Sequence, residues 1–118
     1  MKRLHVEVMS SGDALKRFSR AWKGAAAGKA QDAIVGVGSI AELLALLSPK
    51  RMELLRHVAR NPGLSIRALA GALRRDYKNV HTDVSELEGR HLLERDETGL
   101  VTAPFDELII RAPLREAA

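Results

Sequence analysis

Between Ser48 and Ala103 the chain spells an ordered run of helix starts, apolar stripes and breaks, and this run constrains its fold more than any other feature. Ser48-Pro49 is a Ser N-cap with proline in the first turn, where the missing N–H costs nothing. The helix predicted from it covers Lys50–Arg60, with Met52, Leu55, Val58 and Ala59 inward, and Asn61-Pro62-Gly63 ends it. Ser65 caps a second helix, Ile66 to Arg74, in which Ile66, Leu69, Ala70 and Leu73 recur at helical spacing. After a tight connection at Arg75-Asp76, Asp76 caps a third helix, Tyr77 to Arg90, with Val80, Val84 and Leu87 inward. Leu92–Asp96 and Leu100–Ala103 are predicted strands around the turn Glu97-Thr98-Gly99, and Pro104 closes the second. Helix, helix, short turn, helix and hairpin is the order of a winged helix-turn-helix, whose third helix enters the DNA major groove.

The residues before Ser48 follow a different pattern. Lys2–Met9 alternates Leu4, Val6 and Val8 with Arg3, His5 and Glu7, which predicts a strand with one apolar face. Ser10-Ser11-Gly12 breaks it, and Asp13 opens a helix to Ala27. Its expected inward stripe is Leu15, Phe18, Trp22 and Ala25, flanked by Ala14 and Ala21, with Lys16, Arg17, Arg20 and Lys23 opposite. Gly28 is the expected stop, Lys29–Asp32 a loop, and Ala33–Val37 a second strand. Ser39 and Glu42 then form a capping box before Ile40–Leu47, a helix apolar on most sides and expected at a buried face or interface. Phe105–Arg111 is undecided between strand and short helix. The expected fold is α+β and mainly helical. Residues 1–47 would form a strand-helix-strand-helix region for dimerisation or partner binding, and residues 48–118 the winged helix. Two short strands alone are marginal and leave an edge open to a second copy.

Basic charge is concentrated in one window. The net charge is +4 and the pI about 9.9. Pro49–Thr82 holds Lys50, Arg51, Arg56, Arg60, Arg67, Arg74, Arg75 and Lys78 against only Glu53 and Asp76. Asp83–Glu97 reverses the sign, with six acids against Arg90 and Arg95. A basic window of this kind favours a polyanionic partner. The chain has no cysteine, which excludes disulfides, thiolate zinc sites and cysteine nucleophiles. His5, His57, His81 and His91 lack ligand spacing, so no metal or cofactor is expected. The acid pairs Glu86/Glu88 and Asp106/Glu107 lie on an exposed helix and near the end of the chain, and no enzymatic activity is expected. No stretch resembles a signal peptide or approaches the ~18 apolar residues of a membrane span, so a cytoplasmic location is expected.

Candidate binding residues follow from helix facing. Opposite Val80, Val84 and Leu87 the third helix offers Lys78, His81, Thr82 and Ser85, with Tyr77 and Asn79 at its start. These are short or hydrogen-bonding groups able to meet base edges and phosphates. Ser65 and Arg67 mark the N-terminus of the second helix, a position suited to a phosphate. Arg74 and Arg75 lead into the third helix, and Arg95 is placed in the hairpin as a wing residue. Tyr77 either packs on the hairpin or contacts phosphate.

Arg51 to Arg95, RMELLRHVARNPGLSIRALAGALRRDYKNVHTDVSELEGRHLLER, resembles the winged-helix core of MarR-type and related prokaryotic regulators. Its second half is similar to a family of small predicted DNA-binding regulators of bacteria and archaea with the signature D-Y-x-N-V-H-x-D-V-x-x-L-E. That resemblance extends upstream, through a strand, a helix around a Trp and a second strand. It implies a homodimeric transcriptional regulator of double-stranded DNA, expected to repress its own operon. The alternative is an antitoxin that binds a toxin protein and also autoregulates. His91 stands where relatives often carry glycine, at a left-handed helix end.

Overall fold

The structure, a computed structural model, describes residues 1–28 and 32–115. Among them the elements run β1 (Arg3–Val8), α1 (Ser11–Ala26), β2 (Ala33–Val37), α2 (Ile40–Leu46), α3 (Pro49–Arg60), α4 (Ile66–Leu73), α5 (Tyr77–Gly89), β3 (Glu94–Arg95), β4 (Val101–Thr102) and β5 (Glu107–Arg111). The fold is mixed, with helices and short strands, compatible with α+β. No helix among the described residues is long and apolar enough to cross a membrane. The chain divides into two compact units, one spanning Leu46–Asp106, the other Lys2–Ala45 with the chain from Glu107 onward.

In the Leu46–Asp106 unit the start signals act as the sequence implies. The Ser48 hydroxyl accepts from Arg51 N, Ser65 from Ala68 N and Asp76 from Asn79 N, each satisfying a donor that helix geometry leaves without a partner. The core is Leu54, Leu55 and Val58 from α3, Ile66, Leu69 and Ala70 from α4, Val80, Val84 and Leu87 from α5, with Leu92, Leu93 and Val101. Each fully buried Val or Leu contributes roughly 1.5–3 kcal/mol, so the α5 stripe fixes which face of that helix stays outside. α3 is rotated from expectation: Leu54 is buried, Ala59 is exposed and Met52 is only half-buried. β3 and β4 pair antiparallel. Leu64 bridges to Val101, tying the α3–α4 connection to the hairpin. At its turn the Asp96 carboxylate accepts from Thr98 N, Thr98 Oγ1 and Leu100 N, which holds its pKa below the usual range, and Gly99 takes φ 83°. His91 does adopt a left-handed conformation, φ 65°.

The other unit is a parallel sheet in the order β2-β1-β5, with Val6 opposite Val35 on one side and Ile110 on the other. Parallel neighbours need a crossover, and α1 supplies it between β1 and β2. The segment that the sequence leaves undecided is a strand, β5, and it pairs with β1, so the sheet has three strands and not the expected two. The central position of β1 explains a further correction: Glu7, expected on a solvent face, is 3% exposed and accepts from Arg17 of α1 at 3.2 Å.

That ion pair sets the rotation of α1. At 100° per residue, Leu15 and Trp22 lie roughly 140–160° around the helix from Arg17. Both are therefore exposed, at 73% each, instead of inward. The helix also starts earlier than expected, at Ser11, because Ser10 accepts from Asp13 N. The side-chain expectations for Phe18, Ala21 and Ala25, and residues 29–31 of the expected loop, lie outside what the structure describes. Gly28 takes the positive φ of a helix stop. In α2 the Ser39 hydroxyl accepts from Glu42 N, but the Glu42 carboxylate reaches back to Gly38 N, one residue beyond the usual capping-box donor. Leu43 and Leu46 are buried, whereas Ile40 and Leu44 are exposed.

Candidate nucleic-acid interface

α4 and α5 meet at a turn of three residues that the backbone closes by itself. Arg74 N donates to Gly71 O and Arg75 N to Ala70 O, with Arg74 left-handed at φ 53°, ψ 48°. Asp76 then starts α5. Because Val80, Val84 and Leu87 are buried, the opposite face presents Lys78, His81 and Thr82 exposed and Ser85 half-buried, with Tyr77 and Asn79 exposed at its start.

Aromatic contacts tie this face to the start of α4. The Tyr77 and His81 rings lie 6.0 Å apart, tilted by 43°. The Arg67 guanidinium sits over Tyr77, 5.4 Å from the ring centroid, close enough for a cation–π attraction. Tyr77 is thus fixed between Arg67 and His81 and remains partly exposed. Ser65 is beside them in sequence, its hydroxyl already accepting from Ala68 N, so any contribution to an anion comes from the helix end. Ser65, Arg67, Tyr77, Lys78, Asn79, His81 and Thr82 are all exposed, with the permanent cations Arg67 and Lys78 among them and the Asp76 cap exposed beside Tyr77.

Two expected members are engaged elsewhere. Arg75 donates from Nη2 to Asp83 Oδ2 at 2.6 Å, and Arg51 donates from Nε to Asp83 Oδ1 at 3.0 Å. The three side chains are only 14%, 17% and 14% exposed for Arg75, Arg51 and Asp83. Arg75 therefore fastens the turn and α5 to α3. Arg95 donates to Glu88 through Nε and Nη2, at 3.1 and 2.7 Å, in a bidentate pair joining the hairpin to the end of α5. Hydrogen bonding to Arg95 holds the Glu88 carboxyl below its usual range and raises Arg95. Arg95 thus braces the hairpin against the end of α5, with its side chain 29% exposed.

Arg74 faces another way. It lines an open groove of about 560 Å³ between α3 and the end of α4, together with Arg56 and Arg60. Helix facing in the sequence did not single out Arg56 and Arg60; their i, i+4 spacing on the outward side of α3 was the available signal. Asp83 carried no local signal, since its partner Arg51 lies on another helix.

A protein-family model, HVO_A0114, matches residues 46–110, more than half of the chain. The chain belongs to the HVO_A0114 family. The matched segment of this family member holds α3, α4, α5, the hairpin and most of β5, and so contains the whole exposed surface of α5. No curated protein matches the chain.

Proposed function

We propose that this HVO_A0114 family member is a sequence-specific, double-stranded DNA-binding transcriptional regulator that represses its own operon. The observation that carries the reading is the α4–α5 surface: a helix buried by Val80, Val84 and Leu87 that turns Lys78, Asn79, His81 and Thr82 outward after a three-residue turn. In this reading α3, α4, α5 and the β3–β4 hairpin form a winged helix-turn-helix. α5 enters the major groove, where Asn79, His81 and Thr82 meet base edges and Lys78 reaches a phosphate or a guanine edge. Arg67 and the N-terminus of α4 take a backbone phosphate, and Tyr77 holds Arg67 in place. A homodimer would set two α5 helices about 34 Å apart, one turn of DNA.

In vitro selection of bound duplexes with the purified protein tests this. His81→Ala and Thr82→Ala should change base preference, each losing about 1–3 kcal/mol on the preferred site, while Arg67→Ala weakens binding to all sequences alike. Selection profiles identical to the parent's for both α5 variants would remove α5 from base reading. Light scattering on the full chain tests the dimer, and a monomer at the concentrations that bind DNA defeats it.

The exposed Leu15 and Trp22 of α1 favour a second reading, an antitoxin whose N-terminal unit holds a toxin protein. Co-purification with the product of the adjacent gene, lost in Trp22→Ser, separates it from a regulator alone.

A further inference from the structure

We propose that the groove between α3 and the end of α4 is a phosphate-binding site, separate from the α5 surface and independent of the DNA-binding reading. Arg56, Arg60 and Arg74 line it, and the carboxylate there is Glu53. Elsewhere in the chain Arg3, Arg17, Arg51, Arg75 and Arg95 each meet a carboxylate. Among the described residues, Arg56, Arg60 and Arg74 have no such partner, although Glu53 shares the groove. Arg56 and Arg60 lie one helical turn apart on α3, where like charges repel. An oxyanion between them would offset that repulsion.

Arg74 adds an independent observation. It occupies the left-handed end of α4, a conformation that glycine adopts without strain and that disfavours residues with a Cβ. The bonds that close it come from the backbone N–H groups of Arg74 and Arg75, not from the Arg74 side chain. The helix end therefore has no need of this side chain, which the turn delivers to the groove beside Arg56 and Arg60. Guanidinium groups match phosphate oxygens with paired donors. Met52 and Leu73 give the groove apolar lining, which weakens competition from water. An opening of about 560 Å³ admits a phosphate with a substituent attached. The phosphate is either a phosphodiester of a nucleic-acid backbone or part of a free phosphorylated molecule.

The test uses the full chain, with inorganic pyrophosphate and random-sequence duplex DNA as probes. Pyrophosphate should shift the amide resonances of residues 52–60 and 73–75 saturably. Arg56→Gln/Arg60→Gln should weaken that binding about a hundredfold, each missing charged hydrogen bond accounting for about tenfold. Arg74→Gly should weaken it too without lowering the melting midpoint, because glycine relieves the left-handed strain. If the phosphate belongs to DNA, the double variant should flatten the slope of log K against log salt, by about 0.9 for each phosphate it no longer neutralises. An unchanged slope with pyrophosphate binding intact in the parent assigns the groove to a free phosphorylated ligand. If the chain binds no duplex, the DNA-binding reading fails and the pyrophosphate titration alone decides this one. Shifts spread evenly over the surface, or none in the groove, together with an unchanged slope, overturn the proposal.

Discussion

Two guanidinium groups converge on the Asp83 carboxylate, and Asp83→Asn isolates what that convergence contributes. Asn keeps the shape and one acceptor oxygen, so the change removes mainly the charge. Arg75, only 14% exposed, is then left mostly buried without the carboxylate it meets, and Arg51 loses the same contact. Removing one partner of a buried pair costs about 3–5 kcal/mol. The remaining exposure points to the lower end, about 3 kcal/mol. For a chain of 118 residues the unfolding entropy near the midpoint is roughly 0.25 kcal/mol/K, so the midpoint should fall by about 12 °C. Calorimetry at neutral pH reads this directly. Because the groups are largely shielded from solvent, most of the difference should persist in 1 M salt, where the screening length is only about 3 Å. A midpoint within about 2 °C of the parent's would refute the reasoning and return Arg75 to the pool of available cations.

Glu88→Gln should lose about 0.5 kcal/mol at neutral pH, a small amount because the pair with Arg95 is about a third exposed. The folded-state pKa of Glu88 is depressed, so this contribution is present above the unfolded value of about 4.3 and is lost as pH falls through the lower folded value. Melting curves of parent and variant should therefore converge in acid, and a difference that widens instead contradicts the assignment. Val84→Asp and Leu69→Asp each place a charge at a fully buried position, costing several kcal/mol against a total of about 5–15. Neither should show the parent's cooperative melt by circular dichroism. His91→Gly should stabilise by about 0.5–1 kcal/mol, since glycine takes φ 65° without strain. A lowered midpoint for that variant would mean the His91 side chain makes a contact that outweighs the strain.

What the sequence alone determined is local. Ser48, Ser65 and Asp76 start their helices because a side-chain oxygen meets a backbone N–H three residues on, a relation written in sequence spacing. The α5 stripe was legible for the same reason: helical period puts Val80, Val84 and Leu87 on one side, so the candidate surface opposite them could be named in advance. Tertiary structure decided whatever depended on a distant partner. The apolar spacing of α1 pointed Leu15 and Trp22 inward, but the helix turned to bring Arg17 onto buried Glu7, and β1 needed β5 from the far end of the chain to complete its sheet. Arg75 and Arg95 looked like open cations because a charge in a sequence carries no sign of its counter-ion. Folding brought Asp83 and Glu88 to them, and mostly buried the Arg75 pair while leaving Arg95 29% exposed. A guanidinium on a long, flexible side chain can reach several carboxylates, and only the packed arrangement of α3, α5 and the hairpin selects one.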